Sequence, residues 1–268
     1  MTETVNAARP GRPANGPALR RVGANDIVTC LVAGLRDFRA APLYGIGIGS
    51  IYTIGGWLLI LLLVRFDLPF LVYPLAAGFA LIAPFVATGF YAVSRALERG
   101  ERLSWTAVLG AVRGALGRDL GWMALVTGFS LFIWMDIAAL LSFGFLGLKS
   151  YSATELLREI FTTPMGLLFL LIGNAVGAAL ALAVFAFSVV SFPLLFDRDI
   201  DFITAMIASV KLVLGSPKAM VLWCAIIAAL IALSLISGLV ALPVVLPILG
   251  HASWHLYRHA VVQPASNA

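Results

Sequence analysis

The chain has 268 residues, of which 61% are apolar and only 12% charged, and its mean hydropathy is +1.01. That mix excludes an ordinary soluble domain and makes the bilayer the solvent of this polypeptide. The net charge of +5 and the pI near 9.6 do not point to nucleic acid, because the basic residues are scattered over many short segments; attraction to anionic lipid headgroups accounts for them.

Residues 1–24, rich in Ala, Pro, Gly and Arg, lack the apolar core of a signal peptide and are expected to form a disordered cytoplasmic tail. Residues 25–262 are expected to form one integral membrane domain, and 263–268 a short tail. The predicted fold is all-α, a polytopic transmembrane bundle of about six crossings with interfacial amphipathic helices. A hydrocarbon core about 30 Å thick needs roughly 20 apolar residues at about 1.5 Å rise each. Runs of that kind lie at about 43–64, 70–94, 121–148 and 165–196. The stretch 219–257 is too long for one crossing and is divided near Ser237 and Gly238, with Pro243 and Pro247 expected to kink the last helix. Only length decides between one crossing and two there.

Each pair of long segments follows a short one-sided helix. Ile27, Leu31, Leu35 and Phe38 share a face in the first, with Asn25 or Asp26 as its cap. Trp105, Val108, Leu109, Val112 and Leu116 do so in the second, and Phe202, Met206, Val210 and Val213 in the third. Aligning Arg36, Arg113 and Lys211 brings Pro42, Asp119 and Pro217 into register, and also Ala40, Gly117 and Gly215; Trp57 and Trp134 coincide as well. The chain is thus expected to repeat three times, over about 25–98, 103–198 and 200–259, an in-plane basic helix, a tight bend and a hairpin.

Charge supplies the orientation. Of the 18 Lys and Arg residues, only Arg65, Lys149 and Arg158 fall in segments on the far side from the amino terminus, which places both termini in the cytoplasm.

The residues with chemical potential are few. Asp136 lies near the middle of the third crossing, where a carboxylate is costly, and Asn174 in the fourth is its natural hydrogen-bond partner. The two form a candidate intramembrane polar site, for a proton or cation or for structure alone. His251, His255 and His259 stack at helical spacing near the inner interface as a candidate pH or metal site, without a Cys or Glu in that segment to complete a ligand set. Gly45, Gly49 and Thr53, and Gly173, Gly177 and Ala181, form small-residue faces suited to close helix packing. Asp197, Asp199 and Asp201 open like a calcium loop, but Phe202 stands where the turn glycine belongs, so helix capping is expected instead. Ser152 and Glu155 fit a capping box. Cys30 and Cys224 imply no disulfide framework.

Four stretches carry a family resemblance: GLRDFRAAP from Gly34, LIAPFVATGFYAVSR from Leu81, SFPLLFDRDIDFITA from Ser191 and LGHASWHLYR from Leu249. Together they resemble an uncharacterised bacterial family of predicted integral membrane proteins, domain of unknown function 2189, over nearly the whole chain after the tail. The resemblance implies an inner-membrane location and no established activity. No catalytic cluster, metal or cofactor is expected from the residues. A non-enzymatic accessory, scaffold or assembly factor, contacting anionic lipid and other membrane subunits, is the expected role; a small transporter or channel using Asp136 and Asn174 is the alternative.

Overall fold

The structure, a computed structural model, describes residues 16–66, 72–117, 119–148 and 151–262. The expected tail at 1–15 with Arg9 and Arg12, the start of the second crossing at 70–71, Arg118, Lys149 and the end at 263–268 lie outside the described residues. Helices run in the order α1 (Ala24–Ala40), α2 (Pro42–Arg65), α3 (Val72–Glu98), α4 (Trp105–Leu116), a 3-10 turn (Asp119–Gly121), α5 (Trp122–Leu146), α6 (Ala153–Thr162), α7 (Pro164–Ser188), α8 (Ser191–Asp197), α9 (Phe202–Gly215), α10 (Pro217–Ile236) and α11 (Leu242–Ala260). Among the described residues the only strand-like feature is an isolated bridge between Leu19 and Val261.

The helix starts follow from local chemistry. Ser104 Oγ accepts the Ala107 N–H at 3.1 Å, Asp201 accepts the Thr204 N–H at 2.8 Å, and Ser152 and Glu155 form the reciprocal box. Neither Asn25 nor Asp26 is the cap of α1: the cap is Gly23, two residues before Asn25, and Asp26 reaches back from the first turn to accept the Gly23 N–H at 2.8 Å. Single residues separate α1 from α2 and α9 from α10. Ala41 (φ −137°, ψ 56°) and Ser216 (φ −139°, ψ 52°) adopt nearly the same bend, each followed by a proline whose missing N–H costs nothing at the first helical position.

Four segments are long and apolar enough to cross a bilayer: Pro42–Arg65, Asp119–Leu146, Pro164–Asp197 and Pro217–Ile236. Of the other two expected crossings, α11 is enclosed by α1, α2, α3, α8 and α10, so its sequence need not be lipid-like and carries His251, His255, Arg258 and His259. Pro243 lies in the first turn of α11 and interrupts no helical hydrogen bond, contrary to the kink expected there; Pro247 alone is interior. The turn that separates α10 from α11 holds Gly238 and Leu239 at φ 64° and 70°.

Close approaches fix the directions. A Cβ on Gly49 would lie 2.8 Å from Pro243 Cα, and one on Gly45 would lie 3.1 Å from Pro247 Cβ, so α2 runs antiparallel to α11 at backbone contact. Phe90 packs on Gly250 and Ser94 on His251, so α3 runs parallel to α11. Trp134 lies over Gly177, and Phe145 over Phe169 at 6.3 Å, so α5 and α7 are antiparallel. Gly173, by contrast, has nothing near it. The connectivity therefore gathers α1, α4, α8 and α9 at one end of the bundle.

At that end α1 presents Ile27, Cys30, Gly34 and Asp37 inward, whereas Leu31 is only half-buried. The inward face is rotated from the bulky one the sequence favoured, because Gly34 lets α1 come down onto Ala252. Residues 18–22, expected to be loose, are pinned: Arg20 N–H donates to Ala260 O at 2.8 Å, Val262 N–H to Ala18 O at 2.9 Å, and Val22 N–H to Ser216 Oγ at 2.9 Å.

Candidate functional site

A chain of polar side chains runs through the junction of α1, α3, α8 and α11. Asp37 is 5% exposed and Ser94 and His251 are 0% exposed, so each needs partners inside the protein. Ser94 Oγ donates to Asp37 Oδ2 at 2.8 Å and meets His251 Nδ1 at 2.8 Å. His255 Nε2 lies 2.7 Å from the same Asp37 Oδ2, and its Nδ1 lies 3.9 Å from Glu98 Oε1. Arg258 bridges Glu98 at 3.2 Å and Asp197 at 3.8 Å, while the Tyr257 hydroxyl donates to Asp197 at 2.6 Å. Above this, Arg95 sits 4.5 Å from the centre of the Phe196 ring.

Proton accounting orders the network. Ser94 has one hydroxyl proton and gives it to Asp37, so the bond between Ser94 and His251 must use a proton on His251 Nδ1. His251 Nε2 then faces the core with no hydrogen-bond partner. The Asp37 carboxyl is held below its usual range: burial alone raises it, but the hydrogen bonds from His255 and Ser94, with the charge of the histidines, outweigh burial. One carboxylate thereby ties α1 to both α3 and α11. On the same face, burial, with a smaller push from Asp26, drives the Cys30 thiol up to about 12. A serine, a histidine and an aspartate thus meet, but they meet in a sealed interior, and Asp37 contacts the serine rather than the far nitrogen of the histidine. The arrangement clamps α1 to α3 and α11.

The three histidines meet different immediate partners. His251 faces Ser94, His255 faces Asp37, and His259 Nε2 lies 3.2 Å from Asp26 Oδ1. Among the described residues no group of three His, Cys, Asp or Glu side chains is placed to hold a metal ion. Nor are Asp136 and Asn174 brought together. Asp136 is exposed on the outer surface of α5, two positions and so about 200° from Trp134, which faces α7. Asn174 is exposed too, and its amide donates to Leu170 O of its own helix at 2.7 Å. Arg36, Arg113 and Lys211 are all exposed on their short helices, Arg36 lying 3.8 Å from Asp37. Sequence reasoning missed Asp37, Ser94 and Glu98. The available signal was phase: Asp37 falls on the helical face of Ile27, Cys30 and Gly34, as His255 does with His251.

Fold and interior define an all-helical, multi-pass integral membrane protein. A family model described as "Predicted integral membrane protein (DUF2189)" matches residues 72–197. The match takes in the Leu81–Arg95 motif, all of α3 to α8 and the start of the Ser191–Ala205 motif, but not Gly34–Pro42 or Leu249–Arg258, so it is narrower than the resemblance implied. No curated protein and no solved structure matches the chain.

Proposed function

We propose that this protein is a non-enzymatic accessory or scaffold subunit of a bacterial inner membrane, with six crossings in three helix-plus-hairpin units and both termini cytoplasmic. The observation that carries the reading is the uneven burial of its membrane segments. In α5 only 6% of the most apolar stretch is buried and in α7 none, against 28% in α2. The α5–α7 hairpin therefore stands off a core formed by α1, α2, α3 and α11, and open apolar clefts separate it from α3 (beside Gly78, Ile82 and Gly128) and from α9 (beside Val126, Phe202 and Met206). Lipid alone is a poor neighbour for its outer face, which carries Asp136 and Asn174: a carboxylate at the bilayer centre costs roughly 2.5 to 3.5 kcal/mol on insertion scales. A transmembrane partner with its own polar group at that depth removes the cost.

Further features favour the same account. The matching bends at Ala41 and Ser216 support the repeat, and the gathering of α1, α4 and α9 with exposed Arg36, Arg113 and Lys211 at one end supports a cytoplasmic, anionic-lipid-facing surface. The Ser94–His251 contact lies in a closed core, which favours a structural over a catalytic role. A conduction path through Asp136 and Asn174 gains no support, since both lie on the outside. A photo-crosslinker at Leu171 or Leu182, exposed on α7, should trap one defined membrane protein, while one at Ile54 on α2 should not. Recovery of lipid adducts alone from α7 would overturn the scaffold reading. Reporter tags after Arg65 and after Arg99 should report opposite compartments; the same compartment for both would remove the topology.

A further inference from the structure

Helix α9 has two unlike sides. Ala205, Ala208, Ser209 and Leu212 are buried, and Ser209 locks that side to the junction of α7 and α8: its hydroxyl donates to Ala186 O at 2.7 Å and accepts the Val190 N–H at 3.3 Å. Ile203, Ile207 and Lys211 follow one another at helical spacing along the other side, where all three are exposed. That stripe lines an apolar cleft of about 370 Å³, together with Val126 of α5 and Phe187 of α7; small-molecule sites occupy about 300–1,000 Å³. The helix ends give its depth. Val126 stands about 6 Å inside the start of α5, and Phe187 is the second-last residue of α7. Trp122, the first residue of α5, is exposed and stacks at 6.1 Å on Phe202, which lines the cleft; an exposed tryptophan at a helix end marks headgroup level. Among the described residues lining the cleft Lys211 alone is charged, and it joins no ion pair with any of the described residues, whereas Arg36 and Arg258 face acids.

We propose that this cleft binds a phospholipid of net negative headgroup charge, with an acyl chain against the apolar walls and the phosphate at Lys211. Charge decides the occupant. A cation at headgroup level with no acid beside it attracts an anion, and walls that carry no other polar side chain favour an anion with a hydrocarbon tail. A zwitterionic headgroup brings its own ammonium close to Lys211 and loses part of the attraction; a net anionic one does not. A protein helix would have to present an acid at this one position, while anionic lipid is the anion that a bilayer surface already supplies. Because Ser209 fixes α9 independently of any ligand, the cleft is preformed and little ordering of the helix opposes binding. The proposal rests on the reading that α1, α4 and α9 gather at the anionic surface of the bilayer. It does not involve the outer face of the α5–α7 hairpin, where the scaffold reading puts a protein.

The test uses the full chain in vesicles of about three-quarters phosphatidylethanolamine and one-quarter phosphatidylglycerol. A diazirine side chain is placed at Met206, which lines the cleft, or at Ile54, exposed on α2. After illumination, mass spectrometry reads the headgroup of each lipid adduct. Met206 adducts should carry phosphatidylglycerol about three- to fivefold above its share of the bilayer, because one lysine near an anionic surface is worth about a factor of five. Ile54 adducts should match the bilayer. Lys211→Arg should keep the enrichment and Lys211→Gln should abolish it, both at an exposed position where the change leaves the packing of α9 alone. Bilayer composition at Met206 in the native sequence, or an enrichment that survives Lys211→Gln, would defeat the proposal. So would a protein trapped at Met206 in native membranes, a result that extends the scaffold reading. Reporter tags after Arg65 and after Arg99 test the orientation separately: opposite compartments together with bilayer composition at Met206 remove the lipid site alone, and the same compartment for both removes the orientation and the site together.

Discussion

Replacing Asp37 by Ala should free α1 from the bundle far more often than it comes free in the native protein. Asp37 accepts from Ser94 at 2.8 Å and faces His255 at 2.7 Å, in a site only 5% exposed. Removing it deletes two hydrogen bonds to a charged group and strands two buried partners, a loss of about 3–5 kcal/mol. Cys30 reports the event, since it sits on the same inward face, 4% exposed, and its thiol is pushed to about 12, so it reacts only when α1 lifts. In a Cys224→Ser background, thiol labelling of Cys30 in membranes should accelerate about 100- to 4,000-fold in Asp37→Ala, since each 1.4 kcal/mol is tenfold. Arg36→Ala, which alters a side chain 73% exposed next to it in the chain, should leave the rate unchanged. Unaltered Cys30 labelling in an Asp37→Ala protein that still inserts would refute the clamp.

The same carboxylate sets an acid limit. Its folded-state value lies below the ordinary 3.8, so its contribution is fully present above 3.8 and is lost as pH falls through the lower folded-state value. The thermal midpoint in detergent, followed by tryptophan fluorescence, should drop in that window for the wild type and less for Asp37→Asn; parallel drops would detach the effect from Asp37. Packing gives a paired test. A Cβ at Gly34 would lie 2.6 Å from Ala252 N, so Gly34→Ala should cost about 1–3 kcal/mol, whereas Gly173→Ala, with nothing within 4 Å, should gain up to about 1 kcal/mol of helix propensity. Midpoints that move in the same direction would defeat that account.

The sequence made the helices legible and the interior much less so. Apolar runs, prolines at 42 and 217 and caps at Ser152 and Asp201 are local signals, and the helices begin where they point. The small face of α2 was legible as well, because Gly45 and Gly49 have few uses in a membrane helix other than close packing, and α11 lies against them. Which face of α1 turns inward was not, since bulk argued for Leu31, Leu35 and Phe38, while the actual face is chosen by a glycine that permits contact and an aspartate that finds donors on two other helices. Those donors come from residues 94 and 255, distant in sequence, and no periodicity within α1 announces them. The second small-residue face was half right: Gly177 receives Trp134, but Gly173 is open.

A single accounting rule separates the two aspartates that matter. In a low-dielectric surrounding a carboxyl must find hydrogen-bond partners or bear the cost of having none. Asp37 finds them within the chain, from Ser94 and His255, and its role ends in holding α1 down. Asp136 finds none among the described residues and is exposed on α5. Hydropathy alone ranks Asp136 as the conspicuous group and passes over Asp37, which sits in a basic, amphipathic helix where an acid looks ordinary. Partner accounting reverses their meanings: the inconspicuous acid is internal architecture, and the conspicuous one lies exposed on α5.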